Sequence, residues 1–375
     1  MTIGFFELIL AWLAKGVLMN IGIIGTGVIA VGAHIPAYRQ LGHKIIALAD
    51  SAPGRAEKFA RDFEVPHFYE DYRELLARED IDAVSVCVPT YLHEEVGIAS
   101  MEAGKHLYLE KPPAMDEAGI RRIYETSKKT GKILLVGSHS LYQPQYQIAR
   151  SMVESGRLGN VYVAKVNRAH RRDLPNGWMA KKQFTRGFAI MEGVTHNLDQ
   201  ILYLLDNPVP EYVTCVTYNM FADYQPLSYR YPMDSVESGQ WSGPKETEDA
   251  VLGMIGFKGG LTVQLECFRA SNAEEAYNVM LYGDRVGLKV DHLKINSGRP
   301  GGVSLYEEVQ RGVFTNSELD FVLAKMTHLA VIRHFTECAE EGRQTMSNGE
   351  RAIMVMKIID ALFASAEQNG RQVII

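Results

Sequence analysis

From Asn20 onward the chain alternates short apolar runs with amphipathic stretches. NIGIIG (20–25), HKIIALAD (43–50), DAVSVCVPT (82–90), HLYLEK (106–111) and KILLVGS (132–138) are too short for helices. Between them lie helical patterns reaching Leu41, spanning Arg55 to Phe63 and Leu92 to Ala103, and running through Lys129. Such alternation predicts βαβ units around a parallel sheet, whose strands are apolar throughout because both faces are covered.

After Gly159 the texture changes. NVYVAKVNRAH, PEYVTCVTYNM, DAVLGMIGF, LTVQLECFRA, YNVMLYGD and VGLKVD are strand-like, and KGG (258–260) joins two of them as a hairpin. A run of strands with few helices predicts a mainly antiparallel sheet. Tyr224 to Pro244, rich in Gly, Pro and Ser, reads as a long loop, and two helical patterns close the chain at Glu318–Glu341 and Asn348–Gln368. The expected division is an extension over 1–18, an α/β domain over 19–140 and an α+β domain over 141–375.

Length supports that division, since 375 residues exceed what one core usually holds. With 46% hydrophobic and 22% charged residues, the composition is that of a soluble globular protein. A net charge of −6 and the lack of a basic run argue against a nucleic-acid partner. Cys87, Cys215, Cys267 and Cys338 are widely separated, without zinc or redox spacing. We therefore expect reduced thiols in a cytoplasmic setting and no metal site. The apolar start, MTIGFFELILAWLAKGVL, is broken by Glu7 and Lys15 and lacks the basic leader of a secretory signal. An amphipathic surface helix and a functional start at Met19 both fit it; a membrane partner is not expected.

Candidate chemistry begins at GTGVIA, where Gly25, Gly27 and Ala30 follow the first strand and open a helix. Gly25 suits the tight turn, Gly27 lets backbone approach a pyrophosphate, and Ala30 allows close helix–strand packing. Thr26, Val28 and Ile29 complete a loop whose helix start offers unpaired N–H groups to phosphate. Asp50 ends the second strand where a carboxylate would accept hydrogen bonds from ribose hydroxyls and repel a 2′-phosphate. That favours NAD over NADP, although Asp50 also suits a helix N-cap, and Arg55 on the same turn could meet a 2′-phosphate.

Two further stretches leave alternatives open. Lys111, at the end of the fourth strand before Pro112 and Pro113, is either a surface charge or a cation positioned in the crevice at the strands' carboxyl ends. A cis Lys111–Pro112 peptide would suit the second reading. In MEGVTHNLDQ (191–200), Glu192, His196 and Asp199 fall on roughly one helical face. That face could bind a metal, move a proton or simply be solvated.

The order GTGVIA, ALAD, CVPTYLH, LEKPP and EGVTHNLD resembles the glucose–fructose oxidoreductase, inositol dehydrogenase and rhizopine-catabolism family (Gfo/Idh/MocA) over residues 19–375. The resemblance implies an N-terminal Rossmann domain, an open-faced and mainly antiparallel sheet domain, and C-terminal helices returning to the first domain. It implies oxidation or reduction of a sugar, cyclitol or related polyol carbon with NAD or NADP. It makes Lys111 the catalytic-site lysine and His196 the active-site histidine. It lines the cofactor groove with Pro89, Thr90 and His93, and sets Glu110 against the cofactor. The chain departs from the family at Glu192, where most members carry Asp, at Val194, in place of glycine, and at His139, where many carry asparagine.

Within that frame His196 would take a hydroxyl proton near neutral pH, Lys111 would hold the developing alkoxide, and Glu192 would orient and charge-balance the pair. Asp199 is assigned to structure. Substrate contacts are expected at His139, Trp178 and Lys181; an indole can stack on a sugar face, but a core anchor and a solvated lysine fit equally. Besides the dehydrogenase, an NAD-dependent glycosidase and a non-enzymatic dinucleotide or sugar sensor use comparable scaffolds. An open sheet face needs a cover, so a homodimer or homotetramer is expected.

Overall fold

The computed structural model describes residues 18–224, 243–294, 299–320 and 327–375. Most of the apolar N-terminal stretch and of the expected Tyr224–Pro244 loop lies outside them.

Six strands form the first sheet: β1 (Asn20–Ile24), β2 (Lys44–Ala49), β3 (His67–Tyr69), β4 (Ala83–Val86), β5 (His106–Leu109) and β6 (Leu134–Val136). All described pairings in it are parallel, in the order β3-β2-β1-β4-β5-β6. This is the doubly wound arrangement that the alternating pattern predicts. β3 is an addition, because three half-exposed residues give no apolar run to read. The strand order reverses between β1 and β4, which opens a crevice at their carboxyl ends.

Local signals fix the helix ends. Asp116 caps the helix Glu117–Thr130 by accepting the Gly119 N–H at 2.8 Å, and Gly131 closes it in the left-handed region at φ 69°. The first crossover helix, Ile35–Gln40, is preceded by a π turn over Ala30–His34.

The second sheet contains β7 (Val161–Ala169), β8 (Pro210–Tyr218), β9 (Ala250–Phe257), β10 (Thr262–Phe268), β11 (Ala276–Gly283), β12 (Val286–Lys294), β13 (Arg299–Gln310), β14 (Val313–Asp320) and β15 (Val373–Ile374). Their order is β14-β13-β12-β11-β7-β10-β9-β8-β15; β7–β10 is parallel and the other pairs are antiparallel. Helices Pro144–Glu154, Thr195–Leu204 and Gly349–Glu367 cover one face. Met254, Tyr282, Tyr306 and Phe314 share the opposite face by register and are exposed.

One expectation fails here. Residues 318–320 belong to β14, and the helix expected from Glu318 begins at Thr327. The hairpin β13–β14 alternates polar and apolar residues, so Glu318 sits on a strand face instead of a helical one. The helix Thr327–Glu341 crosses back to the first domain. Its Val331, Ile332 and Phe335 are fully buried with Ile21, Ile23, Tyr38 and Tyr108 of the parallel sheet and its first helix.

Candidate active site

The glycine loop is built for close approach. Gly25 has φ 88°, and a Cβ there would lie 2.6 Å from the Cys87 carbonyl oxygen, so only glycine fits. A Cβ on Gly27 would meet nothing within 4 Å; that side of the loop faces open space. Asp50 ties the loop to β2. Its Oδ2 accepts the Thr26 N–H at 2.8 Å and the Thr26 hydroxyl at 2.7 Å, while Oδ1 accepts the Ala52 N–H at 3.0 Å. The Arg55 Nε lies 3.7 Å from Oδ2. Asp50 is therefore not a helix cap; that position belongs to Gly54.

Between the domains lies a cleft of about 1170 Å³. Gly25, Gly27, Val28, Ile29, Asp50, Arg55, Pro89 and Thr90 line its first-domain side, and Glu110, Lys111, His139, Trp178, Glu192 and His328 its inner end. Its shape and donor set suit a dinucleotide: a glycine turn with open backbone, a carboxylate at the end of β2, and a cation at the end of β5.

Four expected site residues do not line it, His196 among them. Thr26 is fully buried and spends its hydroxyl on Asp50. His93 turns inward, its ring nitrogens 2.7 and 2.8 Å from the carbonyl oxygens of Pro112 and Val88, so it ties two loops together. Lys181 lies outside the lining, its ammonium 6.0 Å from the Phe184 ring.

Lys111 is no surface charge. The Lys111–Pro112 peptide is cis, as expected, and the ammonium donates to Glu192 Oε2 at 2.6 Å. The two side chains are only 20% and 11% exposed, so breaking the pair would strand a charge in a poorly solvated place. Glu192 sits on a π turn over Ala189–Val194 that runs straight into the helix Thr195–Leu204. The helical path thus begins before the trio. Buried Glu248 holds its first turn by accepting the Ile190 N–H at 2.9 Å, and burial pushes the Glu248 carboxyl up to about 7. Asp199 is buried and, with its pKa raised by burial, belongs to the interior as expected.

His196 is half-buried and stands behind the cleft lining. Its ring meets His139 edge-on, with centroids 5.6 Å apart and planes at 77°. Burial holds the His196 pKa well below the usual range, and Lys111, His139, Arg168 and His292 lower it further. A neutral imidazole is the proton-accepting form.

Beside this lies a group that no sequence pattern brings together. His34 Nε2 is 3.0 Å from Glu110 Oε1, His34 Nδ1 is 3.1 Å from Ser85 Oγ, and Ser85 is 2.8 Å from the Tyr38 hydroxyl. Burial alone would raise the Glu110 pKa, but the hydrogen bond and charge of His34, with His328 and Lys111, bring it to about 2. Ligand atoms of His34, Glu110 and His328 lie within 4.8 Å of one another. Both His34 nitrogens already have partners, which satisfies that ring without an ion. His34, His328, Glu248 and Arg168 were not anticipated. Arg168, buried on β7, donates to the Gly193 carbonyl at 3.0 Å and so holds the π turn. A lone histidine in a helical pattern carries no sequence signal of its destination, whereas an arginine on a buried strand face is an anomaly that could have been questioned.

Comparison with known proteins completes the description. Residues 19–138 match the oxidoreductase family with an NAD-binding Rossmann fold, and residues 146–289 match the GFO/IDH/MocA C-terminal domain. D-glucoside 3-dehydrogenase of Escherichia coli (strain K12) is 26% identical over 94% of this chain and 97% of its own. Myo-inositol 2-dehydrogenase of Thermotoga maritima is 27% identical over 52% of this chain and 57% of its own. Among solved structures, levoglucosan dehydrogenase in complex with NADH superposes with a TM-score of 0.81 at 20% identity, covering 96% of this chain and 99% of that one.

Proposed function

Because the chain belongs to the Gfo/Idh/MocA oxidoreductase family, we propose that it is an NAD(P)-dependent dehydrogenase acting on a CH–OH carbon of a sugar, cyclitol or related polyol. The observation that carries this reading is the Lys111–Glu192 pair, 2.6 Å apart at the inner end of the dinucleotide cleft, with His196 in the next helical turn. A sensor has no need of a half-buried cation held at the mouth of a proton-accepting group. The names of the relatives point to sugar and cyclitol substrates.

The loop Gly25–Ile29 would hold the pyrophosphate and Asp50 the adenosine ribose, which favours NAD. Bound dinucleotide supplies the hydride acceptor. Lys111 steadies the substrate oxygen as its negative charge grows, which stabilises the transition state more than the ground state. His196, held neutral by desolvation and by the nearby charge of Lys111 and Arg168, accepts the hydroxyl proton. Glu192 fixes the ammonium and balances its charge. His139 and Trp178, on the cleft wall, would contact the substrate.

The test is turnover of NAD and NADP with a panel of sugars, cyclitols and polyols, read as NAD(P)H absorbance in both directions. No net absorbance change, together with release of an aglycone from glycosides, would support the transient-oxidation glycosidase instead. Two further features belong to this reading. Four buried free thiols suit a reducing cytoplasm. The exposed Met254, Tyr282, Tyr306 and Phe314 on the uncovered sheet face suit self-association into a dimer or tetramer. Among the described residues no helix is long and apolar enough to cross a membrane.

A further inference from the structure

His139 occupies an unusual position. It follows β6 on the short turn His139–Tyr142, lines the cleft with Lys111 and Glu192, and lies between two other imidazoles. His196, from the second domain, meets it edge-on at 5.6 Å; His328, from the returning C-terminal helix, stacks on it at 4.6 Å with planes 28° apart. His328 in turn lies 5.7 Å from His34, which is hydrogen-bonded to Glu110. Four rings from four separate parts of the chain thus run from the helix bearing His196 to a buried carboxylate.

A residue that only packed here, or only bound a hydroxyl, would not require this surrounding. The Nδ1 of His139 is buried and has no hydrogen-bond partner among the described residues. The groups that face the ring are Glu110 and Lys111 from the end of β5, Glu192 and His196 from the second-domain helix, His328 from the C-terminal helix and His292 from β12. Burial, His328, His292 and Lys111 disfavour its protonation, and Glu110 favours it. A ring so placed is neutral at rest, and Glu110 offers a compensating charge if a proton arrives.

Resting on the dehydrogenase reading, we propose that His139 is a second proton-handling residue, sharing with His196 the proton that leaves the substrate hydroxyl. The balance is simple. The C–H bond breaks with its electron pair leaving as hydride to the dinucleotide, and the O–H pair closes the carbonyl. The proton takes an imidazole lone pair, giving one imidazolium shared across the two domains. It is later lost to water through the cleft, which restores two neutral rings. Glu110 supports the charge by its carboxylate.

The test compares His139→Gln, His139→Ala and His196→Ala in the full-length protein. NADH affinity is measured first, by fluorescence, and should match the wild type, because the glycine loop and Asp50 lie elsewhere. In the oxidation direction both His139 variants should lower kcat by about 10–100-fold with KM changed less, a loss within the usual range for a positioned acid–base group. The acid limb of the kcat–pH profile should move to lower pH, because a proton held by His196 alone is bound less tightly than one shared by two rings. Added imidazole should restore part of kcat in His139→Ala. If His139→Gln keeps the wild-type kcat and limb, or raises KM alone, His139 merely binds substrate and the proposal is overturned. A wild-type enzyme that turns over no sugar, cyclitol or polyol would instead overturn the dehydrogenase reading, and this proposal with it.

Discussion

The two walls of the cleft are made in opposite ways. The dinucleotide wall is local: Gly25, Thr26 and Gly27 are consecutive, and Asp50 closes the loop through three hydrogen bonds from residues 26 and 52. The chemical wall is assembled from Glu110, Lys111, His139, Glu192 and His328, with His196 behind it against His139, and these residues span most of the chain. The first wall works through backbone geometry and tolerates changes at a distance. The second works through charge in a poorly solvated space, where each group sets the protonation of its neighbours.

Substitutions should expose that contrast, and the largest effect belongs to the chemical wall. His196→Ala should lower turnover by about two to four orders of magnitude while leaving NADH affinity near wild type; a variant that lost both together would erase the separation of the walls. Lys111→Ala should lower kcat by about 10²–10³-fold. It should also weaken NADH binding a few-fold, since the lysine borders both ligands and its loss leaves buried Glu192 without an ammonium. Steady-state kinetics beside fluorescence titration measures both.

On the dinucleotide wall the effect should be smaller and of another kind. Asp50→Asn keeps the loop's acceptor but removes the charge. The ratio of NADPH to NADH dissociation constants should fall about tenfold, equivalent to about 1.4 kcal/mol. A wild type that binds NADPH more tightly would reverse the assignment and make Arg55 a phosphate ligand.

The smallest effect concerns the support of the chemical wall. Buried Glu248 has a folded pKa near 7, above its ordinary value near 4.5. A group raised in this way favours the folded state while protonated, and that benefit is lost as pH rises from about 4.5 through about 7. Glutamine mimics the protonated form. The Tm of Glu248→Gln relative to wild type should therefore improve by about 1–3 °C between pH 5 and pH 8. An unchanged difference across that range would mean that Glu248 titrates normally.

The same contrast decides what the sequence made legible. β1, β2, β4, β5 and β6 were readable because apolar runs bounded by glycine, proline or aspartate leave few alternatives. Gly25, Gly27 and Asp50 were readable because a dinucleotide loop is a contiguous object. The β13–β14 hairpin was not, because Glu318 fits a helical face and a strand face equally well. On the chemical wall, Lys111 was ambiguous by itself; only the resemblance gave it a role, and the Glu192 contact shows why it is held. His93 shows the converse, since a plausible lining residue spends both ring nitrogens on backbone carbonyls. His328 was invisible, because its partners lie nearly two hundred residues or more away in sequence. Side-chain clusters drawn from distant elements become visible only once the chain is folded.

The returning helix Thr327–Glu341 also bears on how this protein can be taken apart. With Val331, Ile332 and Phe335 buried against Ile21, Ile23, Tyr38 and Tyr108, the nucleotide-binding half borrows one of its outer layers from the far end of the chain. Expressed alone, residues 18–140 would present that apolar surface to water and aggregate. The half that reads as the most autonomous module is therefore not a portable one. A chimera that transplants it must carry residues 327–341 along, and with them His328, so grafting the fold would also graft part of the chemistry.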